Sequence, residues 1–352
     1  MDPNASKKGM FNKLNKAQAL QRLEAETFNR KTVSFYRYVI LNDPHQLRDE
    51  LYEQWRKLGV LGRVYLAEEG INAQLSVPQH NWEAFVYHLN GYVYFADIPF
   101  KVAVEDDGKS FLKLTIKVRK QIVADGLKNH EYDVTNVGKH LSAKQWNEAM
   151  SKGATVVDMR NHYESEIGRF QDAICPEVET FKEELPKVKQ LLKGKEEEPI
   201  LLYCTGGIRC EKASAYLKHN GFQDVNQLHG GIIDYVRQLE QDESIANKFE
   251  GKNFVFDERL SERISENIIS NCHQCGVPAD SHINCKNVNC NLLFIQCEKC
   301  RKAHKGCCSH ECVSISQMPE QEQAELRAGA GNLKRYHNHS KVDLSKTFKK
   351  NE

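Results

Sequence analysis

The stretch Tyr203-Cys204-Thr205-Gly206-Gly207-Ile208-Arg209-Cys210 constrains this chain more than any other. Residues 199–203 read as a short buried strand. Residues 211–219 read as a helix with Ala213, Tyr216 and Leu217 on one face and Asn220-Gly221 as its stop. Cys204 therefore occupies a strand-to-helix turn. Two adjacent glycines let that turn take conformations a Cβ would resist, so successive backbone N–H groups converge on one sulfur. The positive end of the helix and the fixed charge of Arg209 both favour thiolate over thiol. Cys204 and Arg209 are thus the candidate catalytic residues, and Thr205, Gly206, Gly207, Ile208 and Cys210 complete the loop.

Arg209 is the fifth residue after the cysteine, which gives a six-residue loop sized for a small sulfane sulfur. Phosphatase loops place the arginine one position later, where this chain has Cys210. The loop accordingly resembles the rhodanese active-site loop. On the strand before it, Asp158-Met159-Arg160, followed by Tyr163-Glu164, lies where a parallel strand delivers side chains to a cleft. Asp158, Arg160 and Glu164 are read as supporting residues, with carboxylate–guanidinium pairing favoured over direct chemistry. Ser142 is placed to cap a helix over 143–150. Leu228-His229-Gly230-Gly231-Ile232 follows a third strand, and the rhodanese-like α/β domain spans 138–241. Tyr235 stands near where many rhodaneses have tryptophan.

Upstream, strands at 33–41, 60–67 and 70–77, helices at 44–58 and 79–89, and a last strand or strand pair from 100–104 and 112–118 follow the order β-α-β-β-α-β. That order predicts a ferredoxin-like domain over 32–123. Leu112, Leu114, Ile116 and Val118 alternate with Lys113, Thr115, Lys117 and Arg119, so one face is apolar and the other basic. Lys113, Lys117, Arg119 and Lys120 are candidates for RNA-backbone contact, with a solvated outer face as the equal alternative. Residues 1–31, with Lys7, Lys8, Lys13 and Lys16, read as a flexible basic arm carrying a short helix around 17–23.

Nine of the twelve cysteines fall between 272 and 312. Short-spaced pairs suit tetrahedral zinc, because two sulfurs from one tight turn fill two corners. The zinc is expected to be structural, in a cysteine-rich module over 270–315. By analogy with interleaved zinc modules, Cys272, Cys275, Cys297 and Cys300 form one site. Cys285, Cys290, Cys312 and either Cys307 or Cys308 form the other, with Cys307 as the expected ligand. His273, His282, His304 and His310 are substitutes. Residues 316–352 are expected to be mostly disordered, with a helical stretch over 319–330 and a basic one over 334–350.

The net charge is +1, so any attraction to nucleic acid comes from local patches. No apolar run approaches a membrane span, and the expected address is cytoplasmic. The fold class is thus multidomain, α+β followed by α/β and a cysteine-rich segment.

That domain order, with Cys-Thr-Gly-Gly-Ile-Arg-Cys-Glu-Lys-Ala-Ser from Cys204, Glu69-Gly70-Ile71-Asn72, Asn161 to Glu166, Asn284-Cys285-Lys286-Asn287 and Phe294-Ile295-Gln296-Cys297, resembles the rhodanese-domain tRNA uridine(34) hydroxylases. The resemblance implies a tRNA partner engaged at its anticodon region, and oxygen-dependent formation of 5-hydroxyuridine at the wobble position. It also implies molecular oxygen as co-substrate, with Cys204 as catalytic cysteine and, by rhodanese analogy, persulfide carrier. No flavin, haem or nicotinamide motif stands in the chain. A metal-free route has the Cys204 thiolate add to uridine C6, so that C5 gains enolate character and reacts with oxygen. The alternatives are sulfur transfer from a Cys204 persulfide, and a zinc-containing RNA-binding or scaffold protein with an idle rhodanese loop.

Overall fold

The computed structural model describes residues 14–104, 110–127, 131–329 and 343–348. Lys7, Lys8, Lys13 and most of the basic stretch over 334–350 lie outside the described residues. In chain order the elements begin with α1 (Lys16–Glu24), β1 (Arg30–Tyr38), α2 (Pro44–Lys57), β2 (Leu61–Ala67), β3 (Gly70–Pro78), α3 (Trp82–Asn90), β4 (Lys101–Val102) and β5 (Leu114–Val118). There follow β6 (Lys139–Leu141), α4 (Ala143–Ser151), β7 (Thr155–Asp158), α5 (His162–Ser165), β8 (Gly168–Phe170), α6 (Phe181–Leu191), β9 (Ile200–Tyr203), α7 (Ile208–His219), β10 (Val225–Leu228) and α8 (Gly231–Gln241). The last are β11 (Phe249–Phe254), β12 (Ser261–Arg263), β13 (His282–Asn284), β14 (Leu293–Ile295), α9 (Glu298–Ala303), α10 (His310–Ser316) and α11 (Glu320–Gly329).

The chain divides into two compact units. The first takes Met1–Arg160, Ile174–Ala246 and Phe256–Arg259; the second takes Asn161–Ala173, Asn247–Val255 and Leu260–Glu352.

In the first unit, the N-terminal sheet has the order β4-β1-β3-β2-β5. Its first four strands give the expected ferredoxin-like arrangement. The two late segments read as a strand or strand pair are separated, however. β4 pairs antiparallel with β1 at one edge, and β5 pairs parallel with β2 at the other. Helix α2 starts because the Asp43 carboxylate accepts from the N–H groups of His45 and Gln46, with Pro44 preset for the first helical position. Its Leu47, Leu51 and Trp55 then fall on one face and pack with Phe35, Val64, Leu75 and Phe85. Each such side chain withdrawn from water contributes about 1.5–3 kcal/mol. Helix α1 lies within the stretch read as a basic arm. It carries a full capping box at Asn15 and Gln18, and buries Ala19 and Leu23; Arg30 and Lys31 already belong to β1.

The second sheet of this unit is all parallel, in the order β6-β10-β9-β7. Ser142 caps α4 through the N–H of Gln145, as its position predicts. β9 is central and fully buried, so the chain leaving it emerges at the C-terminal edge of the sheet, where α/β folds build their sites. Tyr235 is buried and donates from its hydroxyl to Asn147 Oδ1 at 3.1 Å and to the Ala246 carbonyl at 3.2 Å, fixing α8 against α4.

The second unit contains a three-stranded sheet, β12-β11-β8, and the hairpin β13-β14. Tyr163 and Glu164, read as following the strand into a cleft, belong here with the rest of Asn161–Ala173, where β8 pairs antiparallel with β11. The cysteine module packs Cys285, Phe294, Cys308 and Cys312 with Leu344, which lies in the stretch read as mostly disordered. Phe348 stacks on His304 at 3.6 Å between ring centres.

Candidate active site and metal sites

Cys204 leaves β9 and α7 starts at Ile208, three residues earlier than the sequence suggests, so Arg209 and Cys210 lie in its first turn. Gly207 is left-handed, at φ +93°, and its N–H donates to Cys204 Sγ at 3.1 Å. The Arg209 backbone N–H and the Cys210 thiol also favour the charged form of this sulfur. Burial pushes the Cys204 thiol up, but the Cys210 hydrogen bond, the Arg209 charge and the two N–H donors outweigh it and hold it at about 6. Cys210 moves the opposite way: burial and the neighbouring sulfur push it well above the ordinary thiol range. From sequence alone, the Cys210 side chain need not enter the cradle, with a resolving-thiol role as the alternative reading. The early helix start turns it inward.

The loop is closed from behind by α8. Ile232 N–H donates to the Cys204 carbonyl at 3.0 Å and Ile233 N–H to the Thr205 carbonyl at 3.2 Å. Gly231, at φ +70°, makes this approach feasible, because a Cβ there meets the carbonyl oxygens of Cys204 and Thr205 at 2.6 Å. Beside β9, Arg160 Nη2 donates to Asp158 Oδ2 at 2.6 Å, and the Tyr203 hydroxyl donates to the same oxygen at 2.7 Å. Both members of the pair are fully buried. Asp158 and Arg160 therefore hold the strand end. Glu164 lies in the second unit and accepts from the Asn161 N–H at the start of α5.

The N-terminal domain contributes side chains that the sequence did not reveal. Tyr36, from β1, donates to Glu211 Oε1 at 2.9 Å, and its hydroxyl stands 3.0 Å from where a Cβ on Gly207 would be. Tyr38 donates to the Ile208 carbonyl at 3.3 Å. Lys101, from β4, places its ammonium 4.4 Å from the centre of the Tyr36 ring, and its stem lies 3.7 Å from a Cβ built on Gly206. Burial lowers the Lys101 pKa, with Asp234, Cys204 and Glu211 opposing. Burial also works against the Glu211 carboxylate, but hydrogen bonds from His140, Gln227 and Tyr36 bring it below the ordinary range. Tyr36, Tyr38, Lys101, His140, Glu211, His229 and Asp234 line a cavity of about 400 Å³. Tyr36 and Lys101 touch the Cys204 loop and also wall this cavity. Cys204 itself is 1% exposed.

In the second unit, two groups of four sulfurs lie within 4.8 Å of one another: Cys272, Cys275, Cys297 and Cys300, and Cys285, Cys290, Cys308 and Cys312. A tetrahedral zinc with Zn–S bonds of about 2.3 Å sets its sulfurs ~3.8 Å apart. Cys275 and Cys297 are 3.7 Å apart, and Cys308 stands 3.6 Å from both Cys290 and Cys312, so the donor sets fit zinc. Cys308, and not Cys307, joins the second group. The Cys307 thiol turns to the Cys312 carbonyl and the Ser316 hydroxyl. Among the histidine substitutes, His273 bridges Glu166 and the Ile295 N–H, His282 packs edge-on against Phe254, and His304 and His310 contact Phe348.

Three family models match in series: the UPF0176 acylphosphatase like domain over residues 30–122, the rhodanese-like domain over 142–238, and the rhodanase C-terminal model over 250–313. A tRNA uridine(34) hydroxylase from Leptospira interrogans is 55% identical over 337 residues, covering 96% of this chain and 92% of its own length. The chain belongs to the tRNA uridine(34) hydroxylase family. The family's protein from Yersinia enterocolitica is 49% identical, with 96% of this chain and 97% of that one covered. A solved rhodanese-related protein from Thermoplasma volcanium aligns with 28% of this chain and 92% of its own at 22% identity and a TM-score of 0.25.

Within this tRNA uridine(34) hydroxylase family member, the loop signature runs on past Cys210 through Glu211 and Lys212, and the geometry gives the reason. Glu211 holds Tyr36 and His140, and Lys212 Nζ lies 3.0 Å from both Glu69 and Asp125. A Glu-Lys pair on the buried side of a helix was the available signal. Of the basic candidates, Lys117 lies within β5, where it and Thr115 alternate with buried Leu114 and Ile116. Lys113, Arg119 and Lys120 stand at its ends, and the Arg119 guanidinium lies over the Tyr65 ring at 5.6 Å.

Proposed function

We infer that this chain hydroxylates uridine 34 of tRNA to 5-hydroxyuridine, with molecular oxygen as co-substrate and Cys204 as nucleophile. The observation that carries the reading is a thiol held at about 6 by converging donors, beside a cavity of about 400 Å³ walled by tyrosines and a lysine. That volume suits one pyrimidine nucleoside, and the aromatic walls suit a flipped base. Because the sulfur is almost fully buried, the base gains access when Lys101 and Tyr36 swing away from the loop.

The thiolate then adds to C6 of uridine, and the negative charge that spreads to O4 and C5 is stabilised by Arg209 or Lys101. C5 adds oxygen to give a hydroperoxide, and two-electron reduction by a thiol breaks its O–O bond, leaving the C5 hydroxyl and releasing the second oxygen as water. Expulsion of Cys204 and loss of the C5 proton restore the ring. The supporting basic surface is Lys113, Lys117, Arg119 and Lys120, which neutralises backbone phosphates around the anticodon. Zinc at the two cysteine groups supplies folding free energy to the second unit. A cytoplasmic address fits a tRNA substrate, and among the described residues no helix is long and apolar enough to cross a membrane.

The test is nucleoside analysis of tRNA from cells lacking the native protein and complemented with this chain or its Cys204→Ser variant. 5-Hydroxyuridine at position 34 with the former and none with the latter is expected. A thionucleoside, separated by exact mass and chromatographic mobility, would instead establish sulfur transfer from Cys204.

A further inference from the structure

Hydroxylation by molecular oxygen puts one oxygen atom on C5 and leaves the other to be reduced to water, which takes two electrons. Cys204 alone cannot deliver them and return unchanged. Its nearest sulfur partner is Cys210. That side chain is fully buried in the apolar cluster that also holds Cys204. The six-residue spacing is bridged by the turn at Gly207, whose carbonyl accepts from the Cys210 N–H at 3.0 Å and whose own N–H donates to Cys204.

We propose that Cys204 and Cys210 form a dithiol pair that supplies the two electrons of the reaction, closing a disulfide once per turnover. This rests on the hydroxylase reading above. Oxygen adds at C5 to give a hydroperoxide, and loss of the C5 proton restores the C5–C6 double bond as the C6–S bond breaks and Cys204 leaves as thiolate. The thiolate takes the terminal oxygen: an S–O bond forms, the O–O bond breaks, and C5 keeps a hydroxyl. The resulting sulfenic acid on Cys204 is attacked by Cys210, an S–S bond forms, and the oxygen departs as water. The sum is uridine, oxygen and two thiols giving 5-hydroxyuridine, one water and one disulfide. An external dithiol reductant resets the pair.

The division of labour follows from the surroundings. Only Cys204 is poised as nucleophile, while Cys210 stays protonated and serves as its hydrogen-bond donor. Part of what keeps Cys210 protonated is the negative sulfur beside it. Once Cys204 becomes a neutral sulfenic acid, that repulsion is gone and Cys210 ionises more readily, at the step where its attack is required.

The experiment uses the full chain, pre-reduced and freed of reductant, mixed with an excess of tRNA bearing uridine 34 in aerated buffer. Acid quenching and maleimide alkylation precede mass analysis. Wild type is expected to stop at one 5-hydroxyuridine per chain, with an equal amount of Cys204–Cys210 disulfide, and to resume on addition of dithiothreitol. Cys210→Ser keeps a hydroxyl donor to Cys204, so its Cys204 alkylation profile stays centred near that of wild type. It nonetheless traps as sulfenic acid with dimedone and turns over at least tenfold more slowly under dithiothreitol. Cys210→Ala, checked for tRNA binding, is expected to show the same block. Wild-type turnover beyond one equivalent without reductant, with Cys210 still alkylated, overturns the dithiol proposal and leaves the hydroxylase reading standing. So does a Cys210→Ser variant as fast as wild type. Thionucleoside in place of 5-hydroxyuridine from the wild-type chain overturns both.

Discussion

Lys212, on α7, places its buried ammonium 3.0 Å from Glu69 in the turn between β2 and β3, joining the helix that carries Arg209 to the N-terminal sheet. Asp125 takes the other side of the same ammonium at 3.0 Å, and the Val123 carbonyl accepts from it at 2.9 Å. The adjacent Glu211 makes a second link through Tyr36. The rhodanese-like loop in this chain is therefore held by another domain's side chains.

Removing the Lys212 ammonium leaves Asp125, only 3% exposed, without its counter-charge. Lys212→Met is expected to destabilise the first unit by about 3 kcal/mol, the cost typical of breaking a buried ion pair on one side. Urea denaturation followed by Trp55 and Trp146 fluorescence measures it, and a change below about 0.5 kcal/mol would show that solvent replaces the pair.

Cys204 titrates at about 6 in the folded chain, below an ordinary thiol. Its rate of alkylation by iodoacetamide should therefore rise with a midpoint near pH 6 and be flat from about pH 7.5 upward, and hydroxylation should fall together with it in acid. Since the folded pKa lies below the unfolded one, the associated stabilisation is fully present above the unfolded thiol pKa and is lost as pH falls through the folded value. A midpoint above about pH 8, the ordinary thiol range, would mean that the donors around the sulfur do not hold a thiolate.

Gly231→Ala introduces a methyl 2.6 Å from two carbonyl oxygens of the Cys204 loop, at a φ of +70°. A stability loss of roughly 1–3 kcal/mol is expected from strain, together with an activity loss exceeding tenfold, because the clash displaces the loop itself. Activity equal to wild type would show that the loop tolerates the shift.

Protein purified without chelator is expected to carry zinc at two equivalents, one for each four-sulfur group. Cys308→Ser should lose one equivalent and open the second unit to protease, because structural zinc contributes folding free energy. Cys307→Ser should keep both. Metal analysis giving the reverse pattern would restore Cys307 as the ligand.

Replacing Lys113, Lys117 and Arg119 together with glutamine is expected to weaken tRNA binding and to flatten its salt dependence, by a slope of ~0.7–0.9 for each phosphate no longer neutralised. Folding should persist, since the apolar side of β5 is carried by Leu114 and Ile116. Unchanged affinity and slope would make this face a solvated surface only.

Features written within a few consecutive residues were legible in the sequence. The strand end at Tyr203, the glycine-bearing turn, the arginine at its sixth position, the Ser142 cap and the pairing of Cys272 with Cys275 each follow from spacing along one backbone, which covalent geometry fixes. The β-α-β-β-α-β order was legible for the same reason, through periodicity. Which edge each late strand joined was not, because a two-residue strand such as β4 has too few positions to display a pattern. Nor could spacing choose between Cys307 and Cys308, as neighbouring residues differ only in the direction their side chains face. The helix start at Ile208, which brings Cys210 onto the Cys204 sulfur, and the arrival of Tyr36 and Lys101 at the loop were decided by tertiary packing alone. Tyr36 and Glu211 are 175 residues apart. A hydrogen bond across that separation leaves no local periodicity in either segment, since it exists only once both domains have buried their own cores and brought the two side chains together.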